Sequence, residues 1–232
     1  MASRLLPLLK NDIKLLIRYG ILTVYGFVVA FYVALIIYAG DLMPAWLIAL
    51  IIITEPTAFG FFFLGGLMQL EKSEDVRSAL GVTPVSALEY FFSKAISMSA
   101  IALIAVSVLV FFTGNNINWI MLFAIVTLTS VQFLAIGIPA AIYFKTLSGY
   151  LIGSITYLMP ILLLGIFAFF EPMPVWAILF PTASEFKLIL VATGASSAST
   201  WEIIAMFIVV FITFLASIQL AVNSLQKELG YK

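Results

Sequence analysis

The chain has no cysteine and no histidine among its 232 residues, and only 9% of them are Asp, Glu, Lys or Arg. Without thiols there are neither disulfides nor thiolate chemistry. Without imidazole the commonest general base, the commonest metal ligand and every His-dependent catalytic triad are missing. A net charge of zero argues against the clustered basic face that nucleic acid requires. Soluble domains carry about 25% charged residues, so this chain has too little polar surface to cover itself in water. What fills the space is apolar: 64% of the residues are hydrophobic and the mean hydropathy is +1.20. Composition therefore predicts an all-α integral membrane protein. Lipid offers no partner to a free backbone group, so each span must satisfy its own as a helix.

Six apolar segments reach the ~20 residues needed to cross hydrocarbon, at roughly 19–39, 45–70, 95–113, 118–143, 149–170 and 201–222. Basic residues in the connections set the orientation. Arg4, Lys10, Lys14, Arg18, Lys72, Arg77, Lys94, Lys145, Lys227 and Lys232 fall on one side, and Lys187 alone on the other. This bias predicts cytoplasmic termini and a cytoplasmic 71–94 segment. Trp46, Trp119, Trp176 and Trp201 cluster at the predicted outer ends, where an indole buries its ring and hydrates its N–H.

Residues 3–18 lack the apolar core and small-residue site of a cleavable signal. At 100° per residue, Leu5, Leu6, Leu9, Ile13, Leu16 and Ile17 share an arc of about 120°, opposite Arg4, Lys10, Asn11, Lys14 and Arg18. That is the pattern of an interfacial helix; a solvated lead-in to the first span is the plainer reading. Residues 171–200 are too apolar for a plain loop, and Pro172, Pro174 and Pro181 interrupt them too often for a span. Two short helices near 174–180 and 182–193, dipping into the outer leaflet and returning, fit this pattern, with a surface turn over 194–200.

Charge concentrates in 71–94, where Glu71, Lys72, Glu74, Asp75, Arg77, Glu89 and Lys94 lie between two apolar spans. Ser73 is placed to cap a short helix with Glu74 and Asp75 in its first turn, and Gly81 to stop it. Thr83 then caps a second helix, with Pro84 at its first position. That helix runs on into span three along the membrane surface, through Leu88, Tyr90, Phe91 and Phe92. A well-capped turn that keeps two helix ends wet is the simpler account. Helix connections in bundles, however, commonly need only 2 to 8 residues. Val76, Leu80 and Val82 beside the acids have the character of a docking surface.

This organisation resembles the permease subunits of type-2 ABC exporters over essentially the whole chain. The run Glu71-Lys72, Ala79-Leu80-x-Val82-Thr83-Pro84, Glu89-Tyr90 and Ser93-Lys94 is similar to the E-R/K…L-x-V-T-P…E-Y…S/A-K pattern of a small drug-exporter branch associated with fluoroquinolone export. The resemblance implies that the 2–3 loop is a cytoplasmic coupling helix seated on a separate ATP-binding subunit. Glu74, Asp75, Val76, Arg77, Ala79, Leu80, Val82, Thr83 and Pro84 would make that contact. It also implies ATP and Mg on the partner, a second permease copy (the same chain or a similar one), and export of an amphiphilic drug-like or lipid-like molecule. No G-x-x-x-x-G-K-[ST] is present, so this chain would not hydrolyse ATP itself.

Glu55 stands ~11 residues, roughly 16 Å, into span two, near the midplane, with Pro56 next to kink the helix. An acid at that depth points to a substrate pathway or subunit interface. A protonated strut between helices, or a shallower position, would explain it equally simply. Pro160, Gly137 and Pro139 are hinges or ordinary packing irregularities. Gln132 and Gln219 are interhelical hydrogen-bond formers. The run Phe59, Phe61, Phe62 and Phe63 packs at a subunit seam or faces lipid. An intramembrane enzyme is disfavoured, since no G-x-S-x-G, H-E-x-x-H or paired acids occur. A stand-alone channel or secondary transporter is weakened by the lack of an internal repeat. The absence of native cysteine makes the orientation testable without background. Ser78→Cys should react with an impermeant maleimide only in inside-out vesicles, and Ser197→Cys only in intact cells; the opposite pattern would reverse the topology.

Overall fold

The computed structural model describes residues 2–74, 85–113 and 117–228, and among these every regular element is helical. Helix α1 (Ala2–Arg18) is followed by α2 (Ile21–Ala39), α3 (Ala45–Ser73), α4 (Ala87–Phe111), α5 (Trp119–Tyr143) and α6 (Leu147–Phe169). A 3-10 turn (Val175–Leu179), α7 (Pro181–Ala192) and α8 (Thr200–Glu228) complete the described chain. Six of these helices, α2 to α6 and α8, are long and apolar enough to cross a membrane. The protein is a multi-pass membrane protein.

Local chemistry starts each helix. Asn118 accepts the Met121 N–H at the head of α5, Thr146 accepts the Gly149 N–H at the head of α6, and Pro181 opens α7 where no N–H is missed. At α4 the cap is Ser86, while Thr83, the cap the sequence suggests, lies outside the described residues. Ser86 and Glu89 form a reciprocal capping box, which satisfies two otherwise free donors. The helix that Ser73 is expected to cap lies outside the described residues. Ser73 itself is the last residue of α3, and its hydroxyl turns back to the Leu70 carbonyl. Thus α3 reaches past residue 70 and α4 begins well before residue 95, so both ends of the charged 71–94 segment are helical.

Lipid supplies no hydrophobic drive between helices, so close approach must come from small residues and polar contacts. At Gly60 a Cβ would lie 2.6 Å from the Ser130 carbonyl oxygen, and at Gly137 one would lie 3.3 Å from that of Phe61. These two glycines bring α3 and α5 backbone to backbone. Between them α3 widens into a π turn (Phe59–Phe63) just after Pro56. The Phe61 carbonyl accepts the Tyr150 hydroxyl of α6 at 2.7 Å, and the Tyr150 ring occupies the space a side chain at residue 65 would need.

Phe59 and Phe61 are fully buried within the bundle and belong to the core, whereas Phe62 and Phe63 are half-buried at its edge. Gln132 does link two helices, accepting from Thr213 of α8 at 3.2 Å. Gln219 instead bonds Asn223 one turn away on its own exposed face. Gln69, which the sequence gives no reason to single out, donates to the Ala141 and Phe144 carbonyls and closes the end of α5.

The buried residues form two apolar clusters. One gathers around Phe61, Phe91 and Tyr150, and the other around Ile52, Val126, Leu188 and Ile189, the last two from α7.

Candidate functional site

The sequence raises two regions, the charged segment between α3 and α4 and the acid at mid-height. Of the nine contact residues suggested for the segment, only Glu74 is described. Asp75, Val76, Arg77, Ala79, Leu80, Val82, Thr83 and Pro84 lie outside the described residues. Glu74 is the residue after α3 and pairs with Arg18 at 3.5 Å, with both side chains solvent-accessible. Such a surface pair is worth about 0–1 kcal/mol.

The charges flanking the segment behave differently from the sequence expectation. Glu71 and Lys94 are each 1% exposed, so they cannot meet a partner. Lys94 Nζ reaches Asp12 Oδ1 at 2.5 Å and also bonds Glu71 Oε1. Glu71 Oε2 accepts the Tyr90 hydroxyl at 2.5 Å, and Asp12 Oδ2 accepts the Ser93 hydroxyl. The ammonium lies 4.9 Å from the centre of the Tyr90 ring. One cation therefore ties α1, α3 and α4 together. Tyr90 and Phe91 are buried beside it and do not run along a membrane surface.

Geometry explains why charge is tolerated there. Glu71 follows Ala45 by 26 residues in one continuous helix, about 39 Å at the helical rise, more than the ~30 Å of hydrocarbon. The cluster belongs at the polar boundary. Burial pushes the Asp12 carboxyl above its usual range, opposed by Lys94 and the Ser93 hydroxyl.

Helix α1 shows three stripes. Asp12, Leu15 and Leu16 are buried against the bundle, Leu6, Ile13 and Ile17 are apolar and exposed, and Lys10, Lys14 and Arg18 are exposed. The apolar arc that the sequence presents as one face is thus divided between protein and surroundings.

At mid-height Glu55 is 2% exposed, about 15 Å along α3. Pro56 follows it within the helix. The Tyr25 hydroxyl of α2 is within electrostatic reach, yet the two groups do not close a well-formed hydrogen bond: Glu55 Oε2 and the Tyr25 hydroxyl are both buried without a partner. Tyr25 packs on Phe59 at 4.2 Å between ring centres, so the acid sits beside the π turn. Thr129 and Ser130 of α5 and Ser99 of α4, all buried, stand about 15–18 Å from the same end of their helices and continue a polar layer between the apolar clusters.

A second buried acid was not apparent from the sequence. Glu185 of α7 is fully buried with neither carboxyl oxygen hydrogen-bonded. The signal available was an acid inside the apolar stretch 174–193. The base of α7 is fixed by Thr182, whose hydroxyl donates to Ile161 of α6, and its far end by Ala192, whose carbonyl accepts the Asn118 N–H. Among the described residues no three Asp or Glu side chains gather to hold a metal.

These features define a helical membrane unit with a rigid, ion-bonded end and a polar layer at mid-height. The chain is similar to the fluoroquinolones export permease protein of Mycobacterium tuberculosis in strains CDC 1551 / Oshkosh and ATCC 25618 / H37Rv. Each relative is 24% identical over 204 residues, covering 87% of this chain and 86% of the relative. No family model matches, and no solved structure matches.

The ion cluster predicts a non-additive mutational pattern. Lys94→Met leaves two buried carboxylates unpaired and should cost about 3–5 kcal/mol, read as a fall in melting temperature in detergent. Asp12→Asn and Glu71→Gln added to Lys94→Met should restore most of the loss. An additive or still worse triple variant would show that the three groups do not act as a unit.

Proposed function

We propose that this chain is the membrane-spanning permease subunit of a type-2 ABC exporter. It moves an amphiphilic small molecule, drug-like or lipid-like, out of a prokaryotic cell, and a separate nucleotide-binding subunit supplies the ATP and Mg. The observation that carries this reading is the extent of the similarity. It spans 87% of the chain and 86% of each relative, so it takes in most of the helical unit and is not a local match between apolar segments.

The mechanism follows from how the two ends are built. The segment between α3 and α4 faces the cytoplasm and docks on the ATPase through Glu74, Asp75, Val76, Arg77, Ala79, Leu80, Val82, Thr83 and Pro84. It is mounted on helix ends that Lys94 fixes to α1, so a push on the segment is passed to a stiff base and is not absorbed by a loose turn. Helix α1 lies at the membrane surface, with Leu6, Ile13 and Ile17 toward lipid and its basic ridge toward headgroups. The 3-10 turn and α7 form the re-entrant segment at the outer face. A second copy completes the path, since six spans are few for one, and closed two-fold pairing is the common solution. Helix α2 contributes only Tyr25 and Ile36 to the buried set, which makes it the span most easily displaced. Its displacement opens Glu55 to the pathway or to the second copy.

Two experiments test this reading. Charge reversal at Glu74, Asp75 and Arg77 together should abolish co-purification with the separate nucleotide-binding subunit. A retained complex with retained stimulation of ATP hydrolysis would overturn the docking assignment. Glu55→Gln should lower efflux of cationic cargo several-fold more than that of neutral cargo. Equal efflux across cargo charges would remove Glu55 from the mechanism.

A further inference from the structure

The tryptophan-bearing end contains a cavity of about 640 Å³ between the start of α3, the end of α6 and α7. That volume suits a drug-sized ligand. Its wall is apolar and aromatic: Leu50, Ile166 and the ring pair Trp46 and Phe169, which meet edge-to-face with centres 6.3 Å apart. A single carboxylate, Glu171, stands at its lip beside Ser196.

Glu171 is held in place. Its Oε1 accepts Lys187 Nζ at 2.9 Å and the Ser196 hydroxyl, while Oε2 takes no bond among the described residues. The side chain is 58% exposed, so the free oxygen is open to a ligand. Hydrogen bonds from Lys187 and Ser196 keep the carboxyl below its usual range, so it stays charged at neutral pH. The charges nearby favour a cation. Lys187 is 3% exposed and spent on Glu171. Glu202 borders a smaller cavity that shares Glu171 and Lys187, so two carboxylates face one ammonium.

We propose that this cavity binds an amphiphilic cation, its apolar body against Leu50, Ile166 and Phe169 and its charged head between Glu171 Oε2 and the face of Trp46. The Trp46 ring, 52% exposed, is free to take a cation on its face. The inference rests on the export reading for the source of the ligand, with the cavity as the last station before release at the outer face. It stands on its own as a binding site.

The test uses the full chain in nanodiscs of zwitterionic lipid, retaining Trp46 as the one fluorophore (Trp119, Trp176 and Trp201 each replaced by Phe). Three quenchers share one chain: 11-bromoundecyl-trimethylammonium, 11-bromoundecanol and 11-bromoundecyl sulfonate. The cation should quench Trp46 saturably, with a midpoint at least tenfold below the other two. Glu171→Gln should move that midpoint at least tenfold, to the level of the alcohol, while the alcohol's own curve stays put and so shows that the fold is intact. Leu50→Phe should shrink the cavity and weaken all three. Non-saturating quenching in proportion to lipid partition would mean the cavity holds only acyl chains and would overturn the proposal. Cation preference that survives Glu171→Gln would overturn it too. Binding without export would leave the site standing and overturn the transport reading instead.

Discussion

The structure depends most on one ammonium group. Lys94 is buried where α1, α3 and α4 meet, and two of its N–H donors answer Asp12 and Glu71 in a place shielded from solvent. An isolated buried charge would cost several kcal/mol, so none of the three groups can leave alone. Tyr90 and Ser93 take the remaining carboxylate oxygens, which makes the cluster closed. Because its members come from separate helices, the position of α1 is fixed by the same atoms that fix the ends of α3 and α4.

Above that cluster, packing is set by shape. Helices in lipid gain little by hiding apolar surface, so contact has to come from closeness and from shared polar groups. Gly60 and Gly137 permit the closeness, and the π turn of α3 turns a carbonyl toward Tyr150. Gln69 closes the end of α5 in the same way, by giving both amide hydrogens to carbonyls the helix can no longer satisfy. The helix pair α3 and α5 thus forms a frame with few alternative arrangements. Helix α2 leans on it chiefly through Tyr25 and the aromatic side chains of the π turn.

The two ends of the molecule differ in a way that suits transport. One end is tied together by the Lys94 ion cluster. The other holds α7 beside cavities whose walls are tryptophan, phenylalanine and aliphatic side chains, with acidic groups at the lip. Between them lies a thin polar layer with Glu55 in it. Under the proposed reading, the ion-bonded end would receive force from the partner and the cavity-bearing end would release cargo.

The number of spans and the short helices of residues 174–193 were legible in the sequence. Apolar runs of fixed length and proline interruptions act locally and carry their meaning in one dimension. The unusual depth of Glu55 could also be counted along its span. The fate of the charged residues could not. Glu71 and Lys94 look like loop charges because they sit beside Lys72, Glu74 and Arg77, and only the fold brings Asp12 from the N-terminal helix to meet them. Phe59 and Phe61 likewise read as seam or lipid-facing residues until α5 is seen against them, and the burial of Glu185 depends on the helices packed against α7. Sequence by itself determined that the chain crosses a membrane and where its helices run, because hydropathy and helix-breaking are properties of neighbours in the chain. Tertiary structure alone decided which charges are exposed and which are spent, because a buried charge is tolerated only where a partner from a distant part of the chain meets it.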